Sequence, residues 1–312
     1  MSVKVSYSAP GKIIISGEHA VVYGKPAIVS TIDLRLMCTV TEGYQRIDPN
    51  INFVADLVKK YLDDKKIPLQ HKHYRVRIRS SIPRKRGMGA SAAFSVASVA
   101  SFLEFFSGST THTTEEINNL AYQVEKHFHH NPSGVDQTAS CFGGLIFFRK
   151  EFEFLKGIYK LSFKIPEIIE KDLYLIDSGK AVESTGIVVT HVGELYNKYG
   201  KKIQDILIET EKVTKRITVA IVKEDKKLFD ENITLNGQLL IDLGVVSKST
   251  QKLLRELIPF GVGKITGGGG IKKGSGYILF SATDSTGLID YCKKNNISII
   301  KFKQSYIGLQ RL

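Results

Sequence analysis

Hydrophobic and polar positions follow two different periods along this chain of 312 residues. The segment Tyr74–Arg79 alternates basic and apolar side chains at every second position, which is typical of a β-strand. An apolar run at 12–15 predicts another strand, whereas segments 91–106 and 114–128 have the longer period of helices. The mixture of strands and helices predicts an α+β fold.

The helix predicted over 114–128 carries its own start signal. Thr113 followed three residues later by Glu116 is a capping-box pattern, in which each residue bonds to the backbone of the other. Apolar residues then recur at helical spacing on one face: Ile117, Leu120, Ala121, Val124 and Phe128. Glu125 lies at the edge of this apolar face.

The length of the chain favours two domains that share a cleft. Residues 152–171 are charged, turn-prone and without clear periodicity, and a new apolar run starts at Leu173. We therefore predict an N-terminal domain over 1–170 and a C-terminal domain over 171–312.

Composition narrows the class of protein. Hydrophobic residues make up 42% and charged residues 24% of the chain, and the longest apolar runs are interrupted before a bilayer-spanning length. The three cysteines are far apart and form no CxxC pair, so we expect no disulfide framework and a cytoplasmic location. Forty-four Lys and Arg against 31 Asp and Glu give a net charge of +13, which attracts nucleic acid, anionic membranes or phosphorylated metabolites alike.

A basic, glycine-containing loop between a strand and a helix is the clearest chemical feature. It comprises Pro83, Lys85, Arg86, Gly87, Met88, Gly89 and Ala90, and the small-residue helix continues with Ser91. Glycines let backbone N–H groups approach oxygens closely, and a helix N-terminus adds partial positive charge, so this segment predicts an anion site. Ser91 could offer its hydroxyl to a phosphate or a metal.

Three other interpretations of this loop are weaker. A tight turn with a solvated basic loop is the simplest alternative. Gly87-x-Gly89-x-x-Ala92 matches the dinucleotide fingerprint, but Pro83 and basic residues stand where an apolar strand should run into the first glycine. The chain has no GxxxxGK[ST] phosphate loop.

A second glycine cluster, 261–270, precedes the strand-like segment Gly276–Phe280. It is either a floppy hairpin loop or a place where a ligand approaches the backbone closely. Four consecutive glycines lose much conformational entropy on ordering, which favours the second interpretation and a second wall of the cleft.

Candidates exist for each requirement of phosphoryl transfer, namely charge compensation, a metal and a group that serves the acceptor hydroxyl. Asp136, in the turn 131–137, is either a helix cap or a positioned carboxylate. Ser91 with Glu125 could hold Mg²⁺, although Glu125 could equally form an ordinary salt bridge. Lys12 could stabilise charge or keep Asp136 ionised.

The histidines at 127, 129 and 130 invite a metal-site interpretation as well. Their spacing is neither HExxH nor i, i+4, and transition-metal sites usually need a carboxylate or cysteine ligand as well. We therefore favour an exposed helix end.

The segment Ser8–Gly24 resembles the N-terminal signature of mevalonate kinases. These enzymes belong to a superfamily with galactokinases, homoserine kinases and phosphomevalonate kinases, the GHMP kinases, and Gly17–Gly24 favours the mevalonate branch. Three later segments, in the expected order, resemble the family's ATP loop, catalytic turn and C-terminal glycine motif: Gly87–Ala93, Asn131–Asp136 and Lys264–Gly270. The segment 236–245 also resembles a family segment.

This resemblance implies a two-domain α+β GHMP kinase fold, with an N-terminal half like ribosomal protein S5 domain 2 and a ferredoxin-like C-terminal half. It implies ATP-dependent phosphorylation of mevalonate to 5-phosphomevalonate for isoprenoid biosynthesis, without a nucleic-acid or membrane partner; a homodimer is compatible with it. By motif position, the catalytic residues are Asp136 and Lys12, and Pro83 and residues 85–91 of the loop bind the nucleotide. Ser91 and Glu125 bind Mg²⁺. The substrate-binding candidates are Glu18, His19, Thr185 and Gly268.

The chain departs from the family pattern at two places. Met88 and Ala90 replace the usual leucine and serine of the ATP loop, which removes one hydroxyl. The loop after Thr266 continues into a basic segment, 271–276, that is longer than usual. Two alternatives stay open: a related kinase that acts on phosphomevalonate or another hydroxyl of mevalonate, and a non-catalytic protein that binds polyanions.

Overall fold

The computed structural model describes residues 3–45, 48–84, 86–129, 132–150, 152 and 155–312. The strands in this part of the chain are β1 (Lys4–Ser16), β2 (Ala27–Glu42), β3 (Tyr74–Ser80), β4 (Leu145–Lys150), β5 (Lys156–Lys160), β6 (Leu173–Asp177), β7 (Gly261–Thr266), β8 (Tyr277–Ala282), β9 (Ile299–Lys301) and β10 (Gln310–Arg311). The α-helices are α1 (Pro49–Asp64), α2 (Ala90–Ser107), α3 (Thr114–His129), α4 (Val135–Phe142), α5 (Glu167–Glu170), α6 (Thr185–Val222), α7 (Lys226–Asp242), α8 (Lys248–Leu257) and α9 (Ser285–Lys294). Two 3₁₀ helices span Ala20–Tyr23 and Ile258–Phe260.

The first sheet is built around the long strand β2. Its strand order is β10-β1-β2-β4-β5, and β3 pairs with the second half of β2. β1 runs antiparallel to β2 from Lys4 to Ser16, with register shifts after Pro10 and after Ile14. Helices α2 and α4 pack on β1 and β2, and α1 and α3 pack against α2, which lies at the centre of the helical layer. Strands and helices thus occur together in each part of the chain, which confirms the predicted α+β class.

Helix α2 forms the centre of the first core. By length and composition its 18 residues could cross a membrane, so the sequence prediction of no apolar run of that length is wrong. Most of the helix is buried inside the protein, including Phe102, Phe105 and Phe106. The apolar composition of α2 is accounted for by this packing.

Helix α3 begins as the sequence predicts. The Thr113 amide donates to Oε2 of Glu116 at 2.8 Å, and the Glu116 amide donates to Oγ1 of Thr113 at 3.1 Å. These two bonds form the capping box and satisfy backbone donors that a helix start leaves free. The apolar face packs on α2, and Glu125, which we predicted at the edge of that face, is 2% exposed.

The second sheet is antiparallel with strand order β7-β8-β6-β9. Chain order and pairing correspond to the ferredoxin-like β-α-β-β-α-β arrangement, with α6 to α8 in the first connection and α9 in the second. β6 starts two residues after the predicted domain boundary at 170/171. The last residues nevertheless return to the first sheet, because Tyr7 and Ser8 of β1 pair with Arg311 and Gln310.

The two sheets meet where β1 passes β7. The amide of Ile14 donates to Oγ1 of Thr266 at 2.8 Å, and that hydroxyl donates back to the Ile14 carbonyl at 3.0 Å. A buried hydroxyl pair, Ser16 with Thr214 at 2.8 Å, connects the end of β1 to α6. These contacts fix the position of β1, and therefore of its side chains, between the two halves of the molecule.

Candidate active site

An ion pair between Lys12 and Asp136 lies at the centre of the candidate site. Lys12 projects from β1 with 3% of its side chain exposed, and its Nζ is 2.9 Å from Oδ1 of Asp136. Asp136 occupies the first turn of α4, after the helix cap at Gly134, and keeps 37% of its side chain exposed. The sequence left open whether Asp136 is a helix cap; the structure gives it a buried cation as partner and leaves it accessible.

The glycine loop approaches Lys12 through backbone contacts that larger residues would prevent. A Cβ atom at Gly89 would lie 2.8 Å from Cγ of Lys12, and Gly89 has a φ of 73°, which favours glycine. A Cβ at Gly11 would lie 2.7 Å from the carbonyl oxygen of Met88, which accepts a hydrogen bond from the Lys12 amide at 3.0 Å. The loop is therefore held directly against β1.

Two helices start at this point. Gly89 caps α2 and Gly134 caps α4, and a glycine has no side chain that could bond to the first turn. In α4 the amide of Val135 donates to Oγ of Ser133 at 3.4 Å. The backbone N–H groups of a first turn have no partner within the helix, and the helix dipole places partial positive charge there. Together with Lys12, these two helix N-termini create a positive environment suited to phosphate oxygens.

The other predicted nucleotide-binding residues differ in their contacts and burial. Arg86 lies 3.3 Å from Oδ1 of Asp177 at the end of β6, and its carbonyl accepts a hydrogen bond from the Tyr277 amide at 3.3 Å. Arg86 thus fastens the loop to the second sheet. Met88 is buried in the core, Pro83 is half-buried and Ala90 starts α2, whereas Lys85 lies outside the described residues.

Ser91 and Glu125, the predicted metal ligands, lie together behind the loop. Oγ of Ser91 donates to Oε2 of Glu125 at 3.4 Å, and Oγ of Ser95 donates to Oε1 at 2.8 Å. Burial raises the pKa of Glu125 to about 7; the nearby negative charge of Asp136 adds to this rise, while the Ser95 hydrogen bond opposes it. Ser95, one helical turn after Ser91, was not predicted.

These residues fit a Mg²⁺ ion. A hydroxyl and a carboxylate supply the hard oxygen ligands that Mg²⁺ prefers, and such sites are usually completed by substrate phosphates and water. Within the described ranges, no Lys or Arg comes within ion-pair distance of Glu125. A cation at this place would compensate a buried carboxylate whose hydrogen-bond partners, among the described residues, are the hydroxyl groups of Ser91 and Ser95.

His129 is a member of this cluster that the sequence interpretation missed. Its Nε2 lies 3.2 Å from Oγ of Ser91 and 3.8 Å from Oε2 of Glu125, and burial lowers the pKa of the imidazole. With 42% of its side chain exposed, His129 does lie at an open helix end, as expected. His130 lies outside the described residues. His127 instead stacks on Phe53 with ring centroids 3.9 Å apart. The i, i+4 spacing from Glu125 to His129 is the sequence signal that could have indicated the pairing.

Three of the predicted substrate-binding residues lie close to one another. Nε2 of His19 is 3.1 Å from the carbonyl oxygen of Gly268, and a Cβ at Gly268 would lie 2.7 Å from Cγ2 of Thr185. Burial lowers the pKa of His19 to about 4, so the ring is neutral at neutral pH. Nδ1 of His19 is buried and has no hydrogen-bond partner in the part of the chain that the structure describes.

The fourth, Glu18, has a different environment. It is 1% exposed and forms an ion pair with Lys264, which also donates to the Ile14 carbonyl at 3.2 Å. Burial raises the pKa of Glu18 and lowers the pKa of Lys264, and the attraction between them opposes both shifts. Lys264, which the sequence interpretation did not single out, thus connects the end of β1 to β7.

Comparison with known proteins identifies relatives of this arrangement. Residues 52–144 match the family described as GHMP kinases N terminal domain. The mevalonate kinase of Archaeoglobus fulgidus is 32% identical over 281 residues, which cover 84% of this chain and 88% of that protein. The mevalonate kinase of Thermococcus sibiricus is 30% identical over 307 residues, covering 86% of this chain and 87% of that protein.

Solved structures share the fold over the whole chain. The crystal structure of L. major mevalonate kinase in complex with R-mevalonate superimposes with a TM-score of 0.78 at 22% identity, and covers 97% of this chain and 98% of that one. At this identity the superposition establishes the fold, and the family assignment depends on the closer sequence relatives. With 32% identity across 84% of its length, this chain belongs to the mevalonate kinase family.

Proposed function

We propose that this protein transfers the terminal phosphoryl group of ATP to the 5-hydroxyl group of mevalonate. The observation that carries the proposal is the Lys12–Asp136 pair at 2.9 Å, placed where the N-termini of α2 and α4 meet. The names of the A. fulgidus and T. sibiricus relatives support mevalonate as the acceptor. Fold alone would support several acceptors, since GHMP kinases of one fold act on different hydroxyl compounds.

On the acceptor side, Asp136 serves the hydroxyl group. Lys12 engages Oδ1, so the second carboxylate oxygen accepts the hydrogen of the acceptor hydroxyl and orients its oxygen toward the terminal phosphorus. As the new oxygen–phosphorus bond forms, the hydroxyl proton passes to Asp136 and ADP leaves with the electrons of the broken bond. Lys12, next to both groups, stabilises the negative charge that spreads over the phosphoryl oxygens.

On the nucleotide side, the loop and α2 hold the phosphates. The free N–H groups at the start of α2 donate to phosphate oxygens, and the close backbone contact between Gly89 and Lys12 keeps this donor set beside the ion pair. Ser91 and Glu125 would hold Mg²⁺, which supplies charge neutralisation of the phosphates when bound. Ser95 fixes the Glu125 carboxylate by its 2.8 Å hydrogen bond.

The protonation of His19 limits what it can contact. Because a carbonyl oxygen only accepts hydrogen bonds, Nε2 must donate to Gly268, and Nδ1 of the neutral ring is left as an acceptor. An acceptor nitrogen suits a hydroxyl group and does not suit a carboxylate. Because Nδ1 is buried in the structure, a hydroxyl of mevalonate would reach it only if substrate binding exposed this atom.

The test is a product analysis. Protein, Mg·ATP and (R)-mevalonate are incubated and followed by ³¹P NMR, in which coupling of phosphorus to the C5 protons identifies 5-phosphomevalonate. A parallel reaction uses phosphomevalonate in place of mevalonate. The Asp136→Asn variant is assayed in the same way, and its matched control is Asp56→Asn, a change at an exposed aspartate of α1. Folded, metal-loaded protein that forms no ADP with mevalonate, or that phosphorylates another position, would contradict the proposal.

A further inference from the structure

The last turn of α3 brings His129 to the back of the candidate metal site, where the proposed mechanism does not use it. Glu125 and His129 are four residues apart and lie on the same face of the helix. Both reach Ser91 across the gap between α3 and α2, Glu125 at 3.4 Å and His129 at 3.2 Å. Ser91 is therefore contacted by two potential hydrogen-bond acceptors at once.

The hydrogen-bonding capacity of a serine hydroxyl makes one of these acceptors necessary. The hydroxyl has one hydrogen and two lone pairs, so a lone pair given to a cation leaves the hydrogen in need of an acceptor. Oε2 of Glu125 is the more distant candidate, and as a ligand of the same cation it would have less electron density to offer. Nε2 of His129 is closer, and a neutral imidazole accepts at one ring nitrogen.

We propose that His129 is a positioning residue: its Nε2 accepts the hydrogen of the Ser91 hydroxyl and turns an oxygen lone pair of Ser91 toward the cation bound with the nucleotide. This inference rests on the proposed function, because it requires a nucleotide-bound cation at Ser91 and Glu125. The tautomer must carry its proton on Nδ1, and the exposed part of the ring gives that proton access to water. Partners of this kind commonly contribute about 10- to 100-fold to metal affinity.

The experiment compares four proteins: wild type, His129→Leu, His129→Gln and the control His127→Gln. Leucine removes the acceptor, whereas the glutamine side-chain carbonyl can reach Ser91 and accept the same hydrogen. His127 lies in the same turn and stacks on Phe53, with no contact to Ser91 among those described. Binding of Mn²⁺ to the protein–ATP complex is measured by EPR of free Mn²⁺, and ATP binding in EDTA is measured by calorimetry.

We expect His129→Leu to weaken Mn²⁺ binding about 10- to 100-fold, and His129→Gln to recover most of the loss. ATP affinity in EDTA should be unchanged, and His127→Gln should match wild type. Equal Mn²⁺ affinity in wild type and His129→Leu, or an equal loss in both His129 variants, would overturn the inference and leave the proposed function standing. If wild type binds ATP but no Mn²⁺ with it, the proposed function itself fails.

A double-mutant cycle is a second measurement, and it tests directly whether His129 acts through Ser91. If His129 acts through the Ser91 hydroxyl, His129→Leu should weaken Mn²⁺ binding no further once Ser91→Ala is present. Additive losses from the two changes would overturn the inference.

Discussion

Replacing Glu125 by glutamine should stabilise the metal-free protein, and more so at higher pH. Burial raises the pKa of Glu125 from 4.5 to about 7, so the folded protein binds this proton more tightly than the unfolded chain does. The stability that the protonated carboxyl contributes is complete below pH 4.5 and is lost as the pH rises through about 7. Glutamine keeps the size and the oxygen that accepts from Ser95, and it has no charge to bury.

The magnitude follows from the size of the shift. At about 1.4 kcal/mol per pKa unit, the ionised carboxylate costs about 3 kcal/mol once the pH exceeds the folded pKa. Near pH 5.5 the same relation gives a cost of about 1.4 kcal/mol, because the unfolded chain is ionised there while the folded protein is mostly protonated. The Glu125→Gln variant should therefore exceed wild type in unfolding free energy by about 3 kcal/mol near pH 8 and by about half of that near pH 5.5.

The assay is urea unfolding of both proteins in EDTA at these two pH values, followed by circular dichroism. Glu116→Gln is the control in the same helix: the Thr113 amide that bonds its carboxylate lowers the pKa of Glu116, so its stabilising effect is present above pH 4.5 and lost as the pH falls. That variant should be less stable than wild type at pH 8. A Glu125→Gln variant that is no more stable than wild type, or a difference that does not change with pH, would refute the reasoning.

Two further changes test contacts between the halves of the molecule. Lys264→Met should lower the unfolding free energy by about 3–5 kcal/mol, because it leaves the Glu18 carboxylate buried without its cation, and adding Glu18→Gln should recover much of that loss in urea unfolding. Gly268→Ala should raise KM for mevalonate more than KM for ATP, since its Cβ would lie 2.7 Å from Cγ2 of Thr185; Thr185→Ser in the same protein should relieve the effect. If the first double variant were as unstable as Lys264→Met, or if Gly268→Ala left both KM values unchanged, the corresponding contact would not have the role assigned to it.

Features determined by a few neighbouring residues were predictable from the sequence. The capping box of Thr113 and Glu116 forms as expected, because both partners lie within one turn. The segment Tyr74–Arg79, in which basic and apolar residues alternate, forms β3, and its arginines lie on the exposed side. The glycine loop starts a helix where its composition indicated, since Gly89 provides the left-handed backbone that caps α2.

Contacts between distant residues were beyond the sequence pattern. Glu18 and Lys264 are separated by 246 positions, and nothing local to either distinguishes a buried ion pair from two surface charges. The ion pair of Arg86 with Asp177, which joins the basic loop to the second sheet, could not be predicted from the loop itself. The chemistry of phosphoryl transfer suggested Lys12 as a partner of Asp136, the family resemblance implied the same pair, and the structure brings the two together.

The return of the chain to the first sheet was equally hidden. β10 comprises two residues, too few for any periodicity, and was therefore assigned to the second domain. Its Arg311 donates to both carboxylate oxygens of Glu104, at 2.8 and 2.7 Å, and Tyr7 donates to the same carboxylate at 2.8 Å. Only the folded arrangement reveals that a glutamate inside the apolar helix α2 is the anchor for this strand.

The central claim is that the Lys12–Asp136 pair carries phosphoryl transfer, and rapid-quench single-turnover kinetics with Mg·ATP and mevalonate test it most directly. Asp136→Asn keeps the size of the side chain and removes the acceptor charge beside Lys12, so the rate of the chemical step should fall by about 10²- to 10⁴-fold. The dissociation constant of ATP should stay close to that of wild type, because we propose that the loop and α2 hold the phosphates. An Asp136→Asn protein that forms phosphomevalonate at nearly the wild-type rate would contradict the account.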